Sequence, residues 1–217
     1  MHIDPAEVAR LILAGQAVPA EWVPHIFELR LERGYLSDLA LVAPLTELRR
    51  LFLTRSRISD IAPLAGLTQL QRLHLSYTAV SDVTPLAGKL ELEACFLTGS
   101  LVEDVEALAG LTRLERLDLG DTGISDVTPL AGLHNLYSLD LSGTRVADIS
   151  PLAGLRRLRH LDVTGAQVTD LSPVAGIAGC RVVTTPMMVR RRASPMLITI
   201  RHRVTSRTAS NGLIGGR

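Results

Sequence analysis

Aliphatic residues recur along this chain at intervals too regular for an ordinary globule. In one copy of the pattern they stand at Leu111, Leu114, Leu117, Leu119, Ile124, Val127 and Leu130, and the central copies repeat the same seven positions every 22 residues. The pair Leu117 and Leu119 flanks a polar residue, the alternation of a short strand with one buried face. Equivalent pairs stand at Leu29/Leu31, Leu51/Leu53, Leu73/Leu75, Cys95/Leu97, Leu139/Leu141 and Leu161/Val163, and the same spacing predicts a weaker eighth at Val183/Thr185. No coil of this size can bury its own apolar face, so each must cover its neighbour.

Polar and special residues keep the same period. Asp38, Asp60, Asp82, Asp104, Asp126, Asp148 and Asp170 follow one another at 22-residue steps; glycine recurs at 66, 88, 110, 132, 154 and 176, and proline at 63, 85, 129, 151 and 173, with Ala107 in the gap. In the phrase SDVTPLAGL at 125–133, Thr128 reads as the N-cap of one helical turn, Pro129 as its first position and Gly132 as the tight return. The repeated Asp is expected to accept hydrogen bonds from turn amides, a structural duty rather than a catalytic or metal-binding one.

Written out, Leu-x-x-Leu-x-Leu-x-x-(Thr/Ser)-x-(Ile/Val) followed by Ser-Asp-(Ile/Val)-x-Pro-Leu resembles the leucine-rich repeat family. The repeat length and the phrase Asp-Ile-Ser-Pro-Leu at 148–152 look most like the bacterial internalin type. The resemblance spans about residues 23–185. It implies a curved α/β solenoid with a parallel sheet on the concave face and short helical turns on the convex side. Where that family usually has asparagine after the strand, this chain has Ser56, Thr78, Ser100, Thr122, Thr144 and Ala166. Those hydroxyls are expected to take over part of the internal hydrogen bonding. Internalins are exported and anchored at the surface; neither an export signal nor an anchor is read here, so their host-receptor role is not carried over.

The ends of a solenoid need covering. At the front, Asp4 reads as an N-cap, Pro5 as the first helical position, Glu7 as the closing member of a capping box and Gly15 as the stop. Residues 1–22 are thus expected to form an N-terminal helical cap continued by Trp22, residues 23–185 the solenoid, and residues 186–217 a basic tail or irregular cap. In that last region MLITI at 196–200 reads as a further edge strand or cap.

Charge sharpens the division. The net charge is +1, yet residues 171–217 contain eight Arg and no Lys, Asp or Glu. Arg190, Arg191, Arg192, Arg201, Arg203 and Arg207 suit nucleic-acid phosphates or anionic lipid, although no aromatic residue stands among them to stack on bases. A basic leader and a membrane-length apolar run are both missing from the reading, which points to a cytoplasmic protein. Cys95 and Cys180 lie too many coils apart to bridge, and their spacing suits no metal.

Lys89 breaks the pattern, standing in a column otherwise filled mostly by leucine. Because an ammonium cannot stay unpaired in an apolar core, either Lys89 is expected to reach outward or Leu90 to turn in, with local distortion of the coil.

Function should lie on the strand positions that face away from the core. That column reads Arg30, Phe52, His74, Phe96, Asp118, Asp140, Asp162 and Thr184, with Arg50, Arg72, Arg55 and Tyr77 beside the first half and Arg116 and Asp121 beside the second. Aromatic and arginine side chains are the usual anchors of protein interfaces. The aspartates form a carboxylate ladder at roughly 5 Å steps, better suited to a basic partner than to a hard cation, which wants six or more oxygens. The basic tail itself is one such partner. No cofactor is implied, and no nucleophile–base pair, metal cluster or phosphate loop is legible. The expected function is therefore a non-catalytic module binding a protein or peptide on its concave sheet.

Overall fold

A computed structural model of the chain describes residues 3–32 and 36–184. Eight three-residue strands, β1 (Glu28–Arg30), β2 (Arg50–Phe52), β3 (Arg72–His74), β4 (Ala94–Phe96), β5 (Arg116–Asp118), β6 (Ser138–Asp140), β7 (His160–Asp162) and β8 (Arg181–Val183), lie parallel in sequence order within one curved sheet. From β1 to β7 the register advances by 22 residues per step, as in Leu51↔Leu73↔Cys95↔Leu117. The last step differs: Leu161 pairs with Val182 and Asp162 with Val183, a step of 21. The expected strand centred on Val183 and Thr185 is thus shifted by one. Two residues separate Leu158 from Leu161, but only Arg181 separates Cys180 from Val182. The deletion turns Val182 toward the core and leaves Val183, not Thr184, on the open face at 39% exposure. Thr185 and the residues after it, including the arginine tail and the MLITI segment, lie outside the described residues.

The core is a single leucine spine running through every coil, with Leu73, Leu75, Leu86, Leu114, Leu119 and Leu130 all fully buried. Removing one such side chain to alanine costs about 2–5 kcal/mol by transfer and cavity terms. Opposite the sheet the chain makes 3₁₀ turns at Ala62–Leu64, Thr84–Leu86, Glu106–Leu108, Thr128–Gly132 and Ser150–Gly154, and a short helix α2 at Ser172–Ala175. (The N-terminal helix, Pro5–Leu13, is α1.) The turn at Ala107 forms without the proline found in its neighbours.

The aspartate column has the structural duty expected of it. Each Oδ1 accepts the amide of the residue two positions on, at 2.8 Å from Ala40, 2.7 Å from Ala62, 2.8 Å from Thr84, 2.7 Å from Glu106, and 2.8 Å from Thr128, Ser150 and Ser172. Aspartate therefore caps the turn. Thr128 does not, because it already lies inside the 3₁₀ turn and supplies the amide that is capped.

Helix α1 covers the first coil with Val8 and Ile12. Asp4 Oδ1 accepts the Ala6 amide at 2.9 Å, as an N-cap should. Glu7 closes no capping box; its carboxylate pairs with Arg10 at 3.3 Å instead. The helix ends in a Schellman arrangement, Gly15 at φ +72° with its amide on Ile12 and the Gln16 amide on Leu11.

Lys89 follows neither expected course. It stays in the spine at 1% exposure while Leu90 remains 58% exposed. Its Nζ donates to the main-chain oxygens of Leu64 (2.7 Å), Ala65 (3.1 Å) and Leu67 (3.1 Å), the carbonyl end of the preceding coil's turn. Three acceptors match the three ammonium protons. The expected distortion is present in the two residues before Lys89. Ala87 has ψ 135° where Ala65 and Ala109 have −39° and −34°, and Gly88 sits at φ +75°, so this coil turns by a type II rather than a type I geometry.

Candidate functional site

The outward strand positions form two adjoining columns. The central one carries Phe52, His74 and Phe96 on β2, β3 and β4, then Asp118, Asp140 and Asp162 on β5, β6 and β7. The strand spacing of about 4.8 Å is also a stacking distance, and the three rings use it. Phe52 and His74 centroids lie 4.5 Å apart with planes 24° from parallel, and His74 and Phe96 lie 4.2 Å apart at 17°. The Arg30 guanidinium closes the end of the stack, 3.9 Å above Phe52. The aromatics project from the open face as expected, but half-buried against one another. Burial, opposed by Glu32 and reinforced by Arg30 and Arg72, lowers the His74 pKa.

The second column reads Arg50, Arg72, Ala94 and Arg116 on β2 to β5. Arg50 is held by Glu28 at 3.0 Å, which also takes Arg30 at 2.8 Å. Arg55, Tyr77 and Asp121 stand elsewhere, on the bend after each strand, in left-handed backbone at φ 59°, 57° and 53°. The same position is glycine in the coils of Gly99, Gly143 and Gly165. The Tyr77 ring lies over Gly99, half-exposed, with the Arg55 guanidinium 5.3 Å from its centroid.

Each ladder aspartate is anchored by its own backbone. Asp118 Oδ1 accepts the Gly120 amide at 3.1 Å, Asp140 Oδ1 that of Ser142 at 2.8 Å and Asp162 Oδ1 that of Thr164 at 2.8 Å. Burial raises the Asp140 pKa, the Ser142 hydrogen bonds oppose that rise, and the flanking Asp118 and Asp162 charges add to it. Among the described residues no group of His, Cys, Asp or Glu is arranged to hold a metal ion. Cys95 lies beneath this surface, its thiol pushed up to about 12, first by burial and then by Asp118, which removes it as a nucleophile.

Ten residues singled out by sequence, Arg50, Phe52, Arg55, Arg72, His74, Tyr77, Phe96, Asp118, Asp140 and Asp162, therefore share one open flank of the sheet and its bordering bend. Reading the sequence missed the cap that Arg30 places on the stack and the gap that Ala94 opens in the arginine column. Both signals are present in the period, since Arg30 stands 22 residues before Phe52, and Ala94 stands 22 residues from both Arg72 and Arg116.

The sequence profile described as leucine-rich repeats in two copies matches residues 112–154 and, overlapping, 134–176. Among solved structures, internalin C2 of Listeria monocytogenes is 34% identical over 73% of this chain and 71% of its own, with a TM-score of 0.71. The chain belongs to the internalin-like leucine-rich repeat family. Internalin F of the same organism is 28% identical over 83% of this internalin-like chain and 61% of its own, with a TM-score of 0.66. A leucine-rich repeat protein of Leptospira interrogans shares the fold at 20% identity, covering 72% of this chain and 42% of its own with a TM-score of 0.67. No curated protein matches. Internalin-like repeats are protein-interaction modules and generally not enzymes. Among the described residues no helix is long and apolar enough to cross a membrane.

Proposed function

We propose that this protein is a cytoplasmic, non-catalytic docking module whose concave sheet receives a protein or peptide. The observation that carries this reading is the stacked Arg30–Phe52–His74–Phe96 column beside the half-exposed Tyr77. Stacked aromatics and arginines on a rigid sheet bring large contact area at little conformational cost. Tyr77 adds a second support. A tyrosine in left-handed backbone is strained where glycine would be relaxed, and such strain gathers at functional surfaces. The three aspartates extend the same surface with a charge of opposite sign.

The test compares the proteins retained from a native lysate by the wild type and by Phe52→Ala/Phe96→Ala. Both substitutions remove outward side chains and leave the leucine spine intact. Loss of the retained proteins with an unchanged melting transition supports the concave site; an unchanged set of proteins overturns it.

A further inference from the structure

The arginine column of the concave face has one missing member. Arg72 and Arg116 flank the buried Ala94, and a groove of about 360 Å³ runs over it from Arg30 on β1 to Arg116 on β5, past Phe52, His74 and Phe96. The two arginines stand roughly 10 Å apart, two strand spacings. Among the described residues neither makes an ion pair, whereas Arg30 and Arg50 are both occupied by Glu28. Glu93 and Glu115 border the cavity without pairing to them.

The wall has the same preference as the jaws. Rings stacked at the strand spacing stand on edge to the sheet, so their faces are hidden and their rims meet solvent. An aromatic rim is the positive part of the ring quadrupole. His74 stands in the same rim, between the two phenyl rings. The two guanidinium groups and the two phenyl rims favour an anionic guest at the arginines, while Glu93 and Glu115 on the same border favour a cation beside it.

Resting on the concave-face reading above, we propose that the Ala94 notch is a subsite for the carboxylate of an acidic side chain in an extended peptide, held between Arg72 and Arg116. The Asp118–Asp140–Asp162 ladder fixes the next feature of that peptide. Ala94 and Asp140, at the middle of the ladder, are two strand spacings apart across the sheet and two residues apart along it, about 12 Å, which an extended chain covers in three to four residues. The partner segment therefore carries a basic residue three or four positions from its acidic one.

The test is a selection of random peptides displayed on phage against the full chain, followed by titration of the selected peptides in synthetic form. The expected result is enrichment of sequences pairing Asp or Glu with Lys or Arg at about that spacing. Changing the acidic residue to its amide is then expected to weaken binding about tenfold, as is Arg72→Gln/Arg116→Gln, which touches no core position. Ala94→Arg, which fills the notch, gives the same loss. Peptides that bind equally well as amides but are lost from Phe52→Ala/Phe96→Ala overturn the carboxylate subsite and leave the concave site standing. Inorganic phosphate competing at Arg72 and Arg116 with no acidic peptide selected overturns it as well. If no peptide depends on Phe52 or Phe96, both readings fail.

Discussion

The Nζ of Lys89 stands 2.7 Å from the main-chain oxygen of Leu64, inside the spine of the solenoid. Lys89 is also the only lysine in the sequence. Under native conditions an amine-reactive ester is therefore expected to modify the α-amino terminus and leave Lys89 untouched, with labelling appearing only in denaturant. Peptide mass mapping reads this directly, and rapid native labelling of Lys89 contradicts the buried placement. Burial lowers the Lys89 pKa from its ordinary 10.5. The folded value is depressed, so the unfolded chain binds more protons across that interval and stability rises with pH toward 10.5. Lys89→Met is expected to match or exceed wild type at pH 7 by about 1 kcal/mol, with the difference closing as pH rises.

Tyr77 and Gly99 form a second coupled pair. A Cβ at Gly99 would lie 2.6 Å from Tyr77 Cδ1, and the glycine backbone is left-handed at φ +63°. Gly99→Ala is expected to destabilise by about 2–3 kcal/mol through clash and strain together. Tyr77→Gly relieves its own strain and stays within about 1 kcal/mol of wild type. In the double variant the clash is gone but the backbone strain remains. Chemical denaturation of the four proteins should return a coupling energy of about 1 kcal/mol or more.

Thr78, Thr122 and Thr144 each donate Oγ1 to the carbonyl three residues back, at 2.6, 2.5 and 2.6 Å from Leu75, Leu119 and Leu141. Ser56 and Ser100 occupy the same column, buried, with their hydroxyls lacking any such partner. Ser100→Thr and Ser56→Thr are therefore expected to stabilise by about 1 kcal/mol each, nearly additively. A fall in melting temperature for both would refute the shared geometry.

Two aspartates predict opposite responses to acid. The Asp140 pKa is raised, mainly by burial. Its favourable contribution is complete below the ordinary value of 3.8 and is lost as pH climbs through the raised folded value. Asp140→Asn keeps the oxygen that accepts the Ser142 amide and should be more stable than wild type at pH 7, the gap vanishing below pH 3.8. The Asp126 pKa is lowered by hydrogen bonds from the Thr128 hydroxyl and amide. Its contribution is complete above 3.8 and is lost as pH falls through the depressed folded value, so Asp126→Asn should be less stable at pH 7 and converge with wild type in strong acid.

The fold was legible because leucine, aspartate and glycine columns act identically in every coil, and repetition turns weak local preferences into a strong signal. Departures from the period were harder to read. The deletion before Val182 is invisible to a fixed 22-residue ruler, because only pairing with Leu161 reveals the slip. The burial of Lys89 is hard to read from sequence because the carbonyls that satisfy it belong to the coil before, 22 to 25 residues away. The candidate site residues come from counting outward positions. Their mutual stacking was missed, since counting faces does not measure ring separations across strands.

Trp22, the only tryptophan, packs at the extreme front of the spine, four coils ahead of the sheet's midpoint. In a structure where each coil touches only those beside it, melting need not be all-or-none and can begin at an end. Tryptophan emission therefore reports fraying of the leading edge alone, and a mismatch between its midpoint and that of the far-ultraviolet signal would measure how far cooperativity travels along the stack.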